Sequence, residues 1–90
     1  MVKILCNLIP FDLSAHHITI LYKRIGANVR KIRKQKGVSQ LDLALAVGYK
    51  SVSSIAKAES LIENKHFNIE QLYKISKALG VPIERFFEGI

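Results

Sequence analysis

Ser51, Ser53, Ser54 and Lys57 set three short hydroxyls and one long ammonium close together in the chain. Hydroxyls donate and accept over a short reach, and an ammonium donates to guanine O6 or N7. On one helix face such a set suits the phosphates and base edges of a nucleic acid. Val52 beside them is placed to meet a thymine methyl group, and Lys50 adds a cation just ahead. Catalysis is a weaker reading. His16, His17 and His66 lack metal-ligand spacing with Cys6 or with a carboxylate cluster. Adjacent His16 and His17 would face different directions on a helix. The chain has no nucleophile–base pair and no glycine-rich phosphate loop. Neither a catalytic residue nor a cofactor nor a metal is expected.

The elements that must position these residues lie in Ser39–Glu59, SQLDLALAVGYKSVSSIAKAE. Ser39 can cap a first helix, with Asp42 three residues on completing a capping box. Leu43, Ala44 and Val47 fall at helical spacing, and Gly48 suits the left-handed residue that ends a helix. Ser51 can cap a second helix that buries Ile55 and Ala58 and offers Ser53, Ser54 and Lys57 on its other face. Two short helices around a tight turn, in a basic chain, form the pattern of a helix-turn-helix DNA reader.

Ninety residues bound one domain, and a hydrophobic content of 49% supports a core. The net charge of +7, from 14 Lys and Arg against 7 Asp and Glu, favours a polyanionic partner. Half of those basic residues (Lys23, Arg24, Arg30, Lys31, Arg33, Lys34 and Lys36) fall in one short segment. A solvated helix face is the plain alternative for such a run. A membrane surface is a weak partner, because the apolar face of the same helix is needed for the core. The single cysteine, Cys6, fits a reducing cytoplasm, and no apolar run approaches the ~18 residues of a membrane span.

Along the chain, Val2, Ile4, Cys6 and Leu8 alternate up to Pro10. Residues 1–13 therefore read as an N-terminal extension, either a β-strand or a disordered arm. Residues 14–90 read as the helix-turn-helix domain. From a cap at Ser14, Ile18, Leu21, Ile25, Val29 and Ile32 predict an amphipathic helix that stops before Gly37. Gly26 costs about 1 kcal/mol relative to alanine, enough to delay that helix until near Tyr22. After the reader pair, Ser60–His66 is a polar connection. Asn68 and Gln71 then form a capping box for a helix burying Ile69, Leu72, Ile75 and Leu79. Pro82–Glu88 predicts a last short helix carrying Ile83, Phe86 and Phe87. Five helices and no sheet in the body make an all-α bundle.

IGANVRKIRKQKGVSQLDLALAVGY, SIAKAES and IEQLYKISKALGVPIERFF resemble the Cro/cI-like (XRE) helix-turn-helix regulators. The resemblance runs from Tyr22 to Glu88 and is sharpest at Gly37-x-Ser39-Gln40, at Leu43-Ala44 with Gly48, and at Leu79-Gly80-Val81. It implies a five-helix lambda-repressor-like domain, usually a homodimer, that lays its third helix in the major groove of a DNA operator. By the same resemblance, Ser51 matches the recognition-helix cap, Val52, Ser53 and Lys57 match base readers, and Gln40 matches a phosphate clamp. Arg33 and Glu59 match an ion pair tying the first helix to the recognition helix. Ile83, Phe86 and Phe87 are assigned to the dimer contact.

The sequence departs from the family pattern at three places. The turn Gly48-Tyr49-Lys50-Ser51 carries one extra residue, and the loop after Glu59 is long and lacks its customary glycine. Leu41 and Leu45 stand where charged residues are usual, so they should be covered, with the N-terminal extension as the expected cover. The resulting expectation is a cytoplasmic, sequence-specific transcriptional regulator of the repressor or controller type. The alternative is a protein-interaction module, such as an antitoxin, that uses the same scaffold without operator DNA.

Overall fold

Ile25, Val29 and Ile32 recur at three and four residues, which lines them along one side of a helix. In the computed structural model, which describes residues 15–90, that helix (α1, Ala15–Gln35) runs for 21 residues without a break. The helix read from Ser14 onward is thus present, and the alternative of a delayed start near Tyr22 is corrected. Gly26 is buried where α1 crosses a later helix, and tertiary contact outweighs its poor local propensity. The cap expected at Ser14 and the strand or arm expected in residues 1–13 lie outside the described residues.

Gly37 takes a left-handed φ of 71°, so α1 ends there, with Val38 N–H donating to Arg33 O at 3.1 Å. The next helix (α2, Gln40–Ala46) is capped by Ser39 as expected, its Oγ accepting from Asp42 N–H at 3.0 Å, but the Asp42 carboxylate does not complete the expected box. Gly48, at φ 82°, ends it. A third helix (α3, Ser53–Ser60) follows the turn. The next (α4, Ile69–Leu79) opens on the full Asn68–Gln71 capping box and ends at left-handed Gly80.

The described residues hold four α-helices rather than five. Pro82–Glu88 forms a 3-10 helix over Ile83–Phe87 instead of an α-helix. Its i→i+3 bonding, Arg85 N–H to Pro82 O at 3.1 Å, suits a segment too short for an α-helical ladder. The Ser60–His66 connection holds a second 3-10 turn at Ile62–Asn64.

Val29, Leu43, Ile55, Leu72, Ile75 and Phe86 are the fully buried centre, drawn from every major element. Asn28 clasps the C-terminal 3-10 helix to α1, its Nδ2 donating to Phe86 O and Glu88 O at 2.9 Å each. The expectation that Phe86 belongs to a dimer contact is corrected here. With 0% of its surface exposed it fills the core and has no area left for a partner. Ile83 and Phe87 pack on the core but stay partly exposed.

Candidate nucleic-acid interface

Helix α3 is fixed from behind before its outer face can read anything. Ile55 and Ala58 are buried against the core, and Gly26 lets the α3 backbone press directly on α1. Beside that crossing, Arg33 grips Glu59 in a bidentate pair, Nε to Oε2 at 2.7 Å and Nη2 to Oε1 at 3.1 Å. The arginine and glutamate side chains are 7% and 0% exposed. A third donor completes the site: Gln40 Nε2 reaches Glu59 Oε1 at 3.0 Å. Arg33 Nη1 also donates to Val38 O at 2.8 Å. One carboxylate therefore ties α1, α2 and α3 together. The pairing expected between Arg33 and Glu59 is present, and the role of Gln40 in it was not expected.

Gln40 stands in the first turn of α2, half-buried. Its amide keeps a second N–H and a carbonyl oxygen beyond the bond to Glu59.

The start of α3 differs from expectation. Ser51 does not cap it, because Val52 is already helical (φ −70°, ψ −20°) and no side chain caps the end. Val52 O accepts from Ile55 N–H and Ala56 N–H, both at 3.1 Å. The Ser51 hydroxyl instead meets Ser53 Oγ at 2.8 Å. Within the turn, the Tyr49 side chain packs on the core while Lys50 stays exposed. The Tyr49 hydroxyl is buried beside Gln71, and burial pushes its phenol above the ordinary value, partly offset by that amide. Lys50, Ser51, Val52, Ser53 and Ser54 are all exposed, side by side at the N-terminal end of α3.

Lys57 lies further along. It is held by Glu63, with Nζ at 3.0 Å from Oε1 and 3.1 Å from Oε2. Glu63 belongs to the glycine-free loop, where Leu61, Glu63 and Asn64 adopt φ of 57°, 57° and 58°. Left-handed conformations cost non-glycine residues about 1–2 kcal/mol each. The loop is held in place partly by His66, whose ring stacks on Tyr22 with centroids 3.7 Å apart and planes 9° from parallel. Sequence reasoning missed Glu63, Lys65 and His66 as neighbours of the reading face. The only signal was the missing glycine. Ser53, Ser54, Lys57, Lys65 and His66 share a surface groove of about 220 Å³.

An exposed helix end bearing short hydroxyls, braced by a buried ion pair and preceded by a capped helix and turn, is a helix-turn-helix. The model of the Cro/cI-like (XRE) helix-turn-helix family matches residues 29–86. The chain belongs to this family. No curated protein and no solved structure matches the chain. The family is one of DNA-binding transcriptional regulators and is regulatory rather than enzymatic. The matched span takes in Arg33, Gln40, all of α3 and Phe86, whereas Gly26 at the α1–α3 crossing lies just before it. Among the described residues, no helix is long and apolar enough to cross a membrane.

Glu63 is the one carboxylate paired at this face among the described residues, and it occupies Lys57. Replacing it with glutamine frees the ammonium and removes a charge that repels phosphate. An exposed pair is worth at most about 1 kcal/mol, so Glu63→Gln should tighten binding of any duplex by roughly twofold to fivefold. Titration by fluorescence anisotropy measures this. Unchanged or weaker binding would mean that Lys57 never faces the duplex.

Proposed function

We propose that this chain is a sequence-specific transcriptional regulator that binds a symmetric operator as a homodimer, with α3 in the major groove. The observation that carries this is the exposed cluster from Lys50 to Ser54 on a helix locked from behind by Arg33 and Glu59. Ser53 and Lys57 read base edges, Val52 meets a thymine methyl group, and Ser51 and Ser54 donate to base or phosphate. Gln40 and Lys50 hold phosphates and fix register without reading sequence. Ile83 and Phe87 supply the apolar part of the dimer contact. A dimer of this kind spaces its half-sites by about one helical turn, ~34–36 Å.

The test is selection of bound duplexes from a random pool, followed by titration of two variants. Lys57→Ala should relax preference at one base pair, losing about 1–3 kcal/mol of discrimination. Gln40→Ala should weaken all sequences alike. If Lys57→Ala weakened every duplex by one common factor, its role as a base reader would be lost.

A second reading has one observation in its favour. Leu41 and Leu45, four residues apart on α2, are 53% and 64% exposed among the described residues. Their proposed cover, the N-terminal extension, lies outside those residues. A protein partner, as for an antitoxin, would also cover them. Elution from heparin and a salt series on random duplex separate the two readings, since only the DNA reader shows steep salt dependence.

A further inference from the structure

Apart from Arg33, which braces α3 through Glu59, the basic run of α1 is not used by the reading unit. Lys23, Arg30, Lys31 and Lys34 line an open groove of about 520 Å³ whose other wall is Glu59 and Ser60 at the C-terminal end of α3. All four cations are exposed. The ion pairs among the described residues join Arg33 to Glu59, Lys57 to Glu63, Lys74 to Glu70 and Arg85 to Glu88, so none of the four is neutralised by one. Glu59 borders the groove but does not offset them. Its side chain is 0% exposed and is taken up by Arg33 and Gln40. Arg30 and Lys34 are four residues apart, a like-charge spacing that weakens a helix. An anionic occupant would relieve that repulsion.

Position selects the occupant. The groove opens at the end of the same helix whose other end carries the reading cluster, so a strand lying along α3 would continue onto α1. From Lys23 to Lys34 the stripe extends about 16 Å along the helix axis, enough to follow several phosphates of one strand. We propose that this face of α1 is a second phosphate-binding surface, which tracks the backbone of base pairs flanking those read by α3. The inference rests on the DNA-reading proposal above. It adds that the footprint is longer than the bases read, and that much of the affinity is independent of sequence.

The experiment compares the wild-type chain with Lys23→Ala/Arg30→Ala/Lys34→Ala on a selected duplex. All three positions are exposed and helical, and alanine favours a helix, so the variant should fold; circular dichroism checks this. The slope of log K against log salt should become shallower by up to ~2.7, about 0.9 for each phosphate no longer neutralised. Wild-type affinity should also rise when roughly five base pairs are added at each end of the duplex, a length comparable to the stripe. The triple variant should lose that gain while keeping its base preference. A variant with unchanged slope and the same gain from added length would overturn the inference and leave α3 as the reader. Wild-type protein that binds no duplex would sink both. Tighter retention on vesicles containing anionic lipid than on duplex would overturn it in favour of a membrane surface.

Discussion

Glu59→Ala should bring the domain close to unfolding. The Glu59 carboxylate accepts from Arg33 at 2.7 and 3.1 Å and from Gln40 at 3.0 Å, with its side chain fully buried. Without it, the Arg33 guanidinium keeps Val38 O as its one protein partner and stays 7% exposed. Breaking a buried pair by removing one member costs about 3–5 kcal/mol, because the other charge is left unpaired. A domain of this size has a total stability of roughly 5–13 kcal/mol. The loss is therefore a large share of the whole. Urea unfolding followed by circular dichroism measures it. Replacing both partners by apolar residues, Arg33→Met with Glu59→Leu, should recover most of the stability, since an apolar pair of similar volume is often neutral. The double variant separates charge from shape. A Glu59→Ala loss below about 1 kcal/mol would mean that the pair is solvated, as exposed pairs are.

What could be read from the sequence was what local chemistry decides. The Ser39 hydroxyl and the Asn68–Gln71 box act within three residues of themselves, and both caps form. Gly37, Gly48 and Gly80 end helices through their own left-handed φ, and no distant residue is needed to place them. Of the lines expected from helical spacing, Ile25–Val29–Ile32 and Leu72–Ile75–Leu79 are buried, Leu21 packs partly on the core, and Ile18 and Ile69 are exposed. What stayed hidden depends on which elements meet. The sequence marks Phe86 as apolar but not as fully enclosed, and only the clasp from Asn28 shows why it is. Glu63 has no pattern that aims it at Lys57; its left-handed backbone does so, in a loop where glycine was expected. Ser51 lies at a cap position by type, yet helical geometry begins one residue later, at Val52. Arg33 and Glu59 are 26 residues apart, a separation that no periodicity relates. Their pairing came from family resemblance rather than from the spacing of this chain.

Gly26 is where local and tertiary reasoning give opposite signs, so it makes the sharpest test. Helix propensity alone says that Gly26→Ala should stabilise α1 by about 1 kcal/mol. The crossing says otherwise. A Cβ at this position would lie 2.7 Å from both Ala58 O and Glu59 O. Those oxygens belong to the α3 backbone and cannot rotate aside as a side chain would, so α1 and α3 must separate. Overfilling a packed site costs about 1–3 kcal/mol, and separation also stretches the nearby Arg33–Glu59 pair. Gly26→Ala should thus lower the urea midpoint. Even well below its Tm, it should weaken duplex binding, since α3 is displaced at the contact that sets its position. Ala27→Gly supplies the control. Ala27 is exposed one residue further along α1 and lines the basic groove, so its change should show the propensity loss of about 1 kcal/mol without displacing α3 and leave base preference intact. If Gly26→Ala instead raised the midpoint, the two helices would not meet at this residue, and the brace behind the reading helix would rest on the ion pair alone.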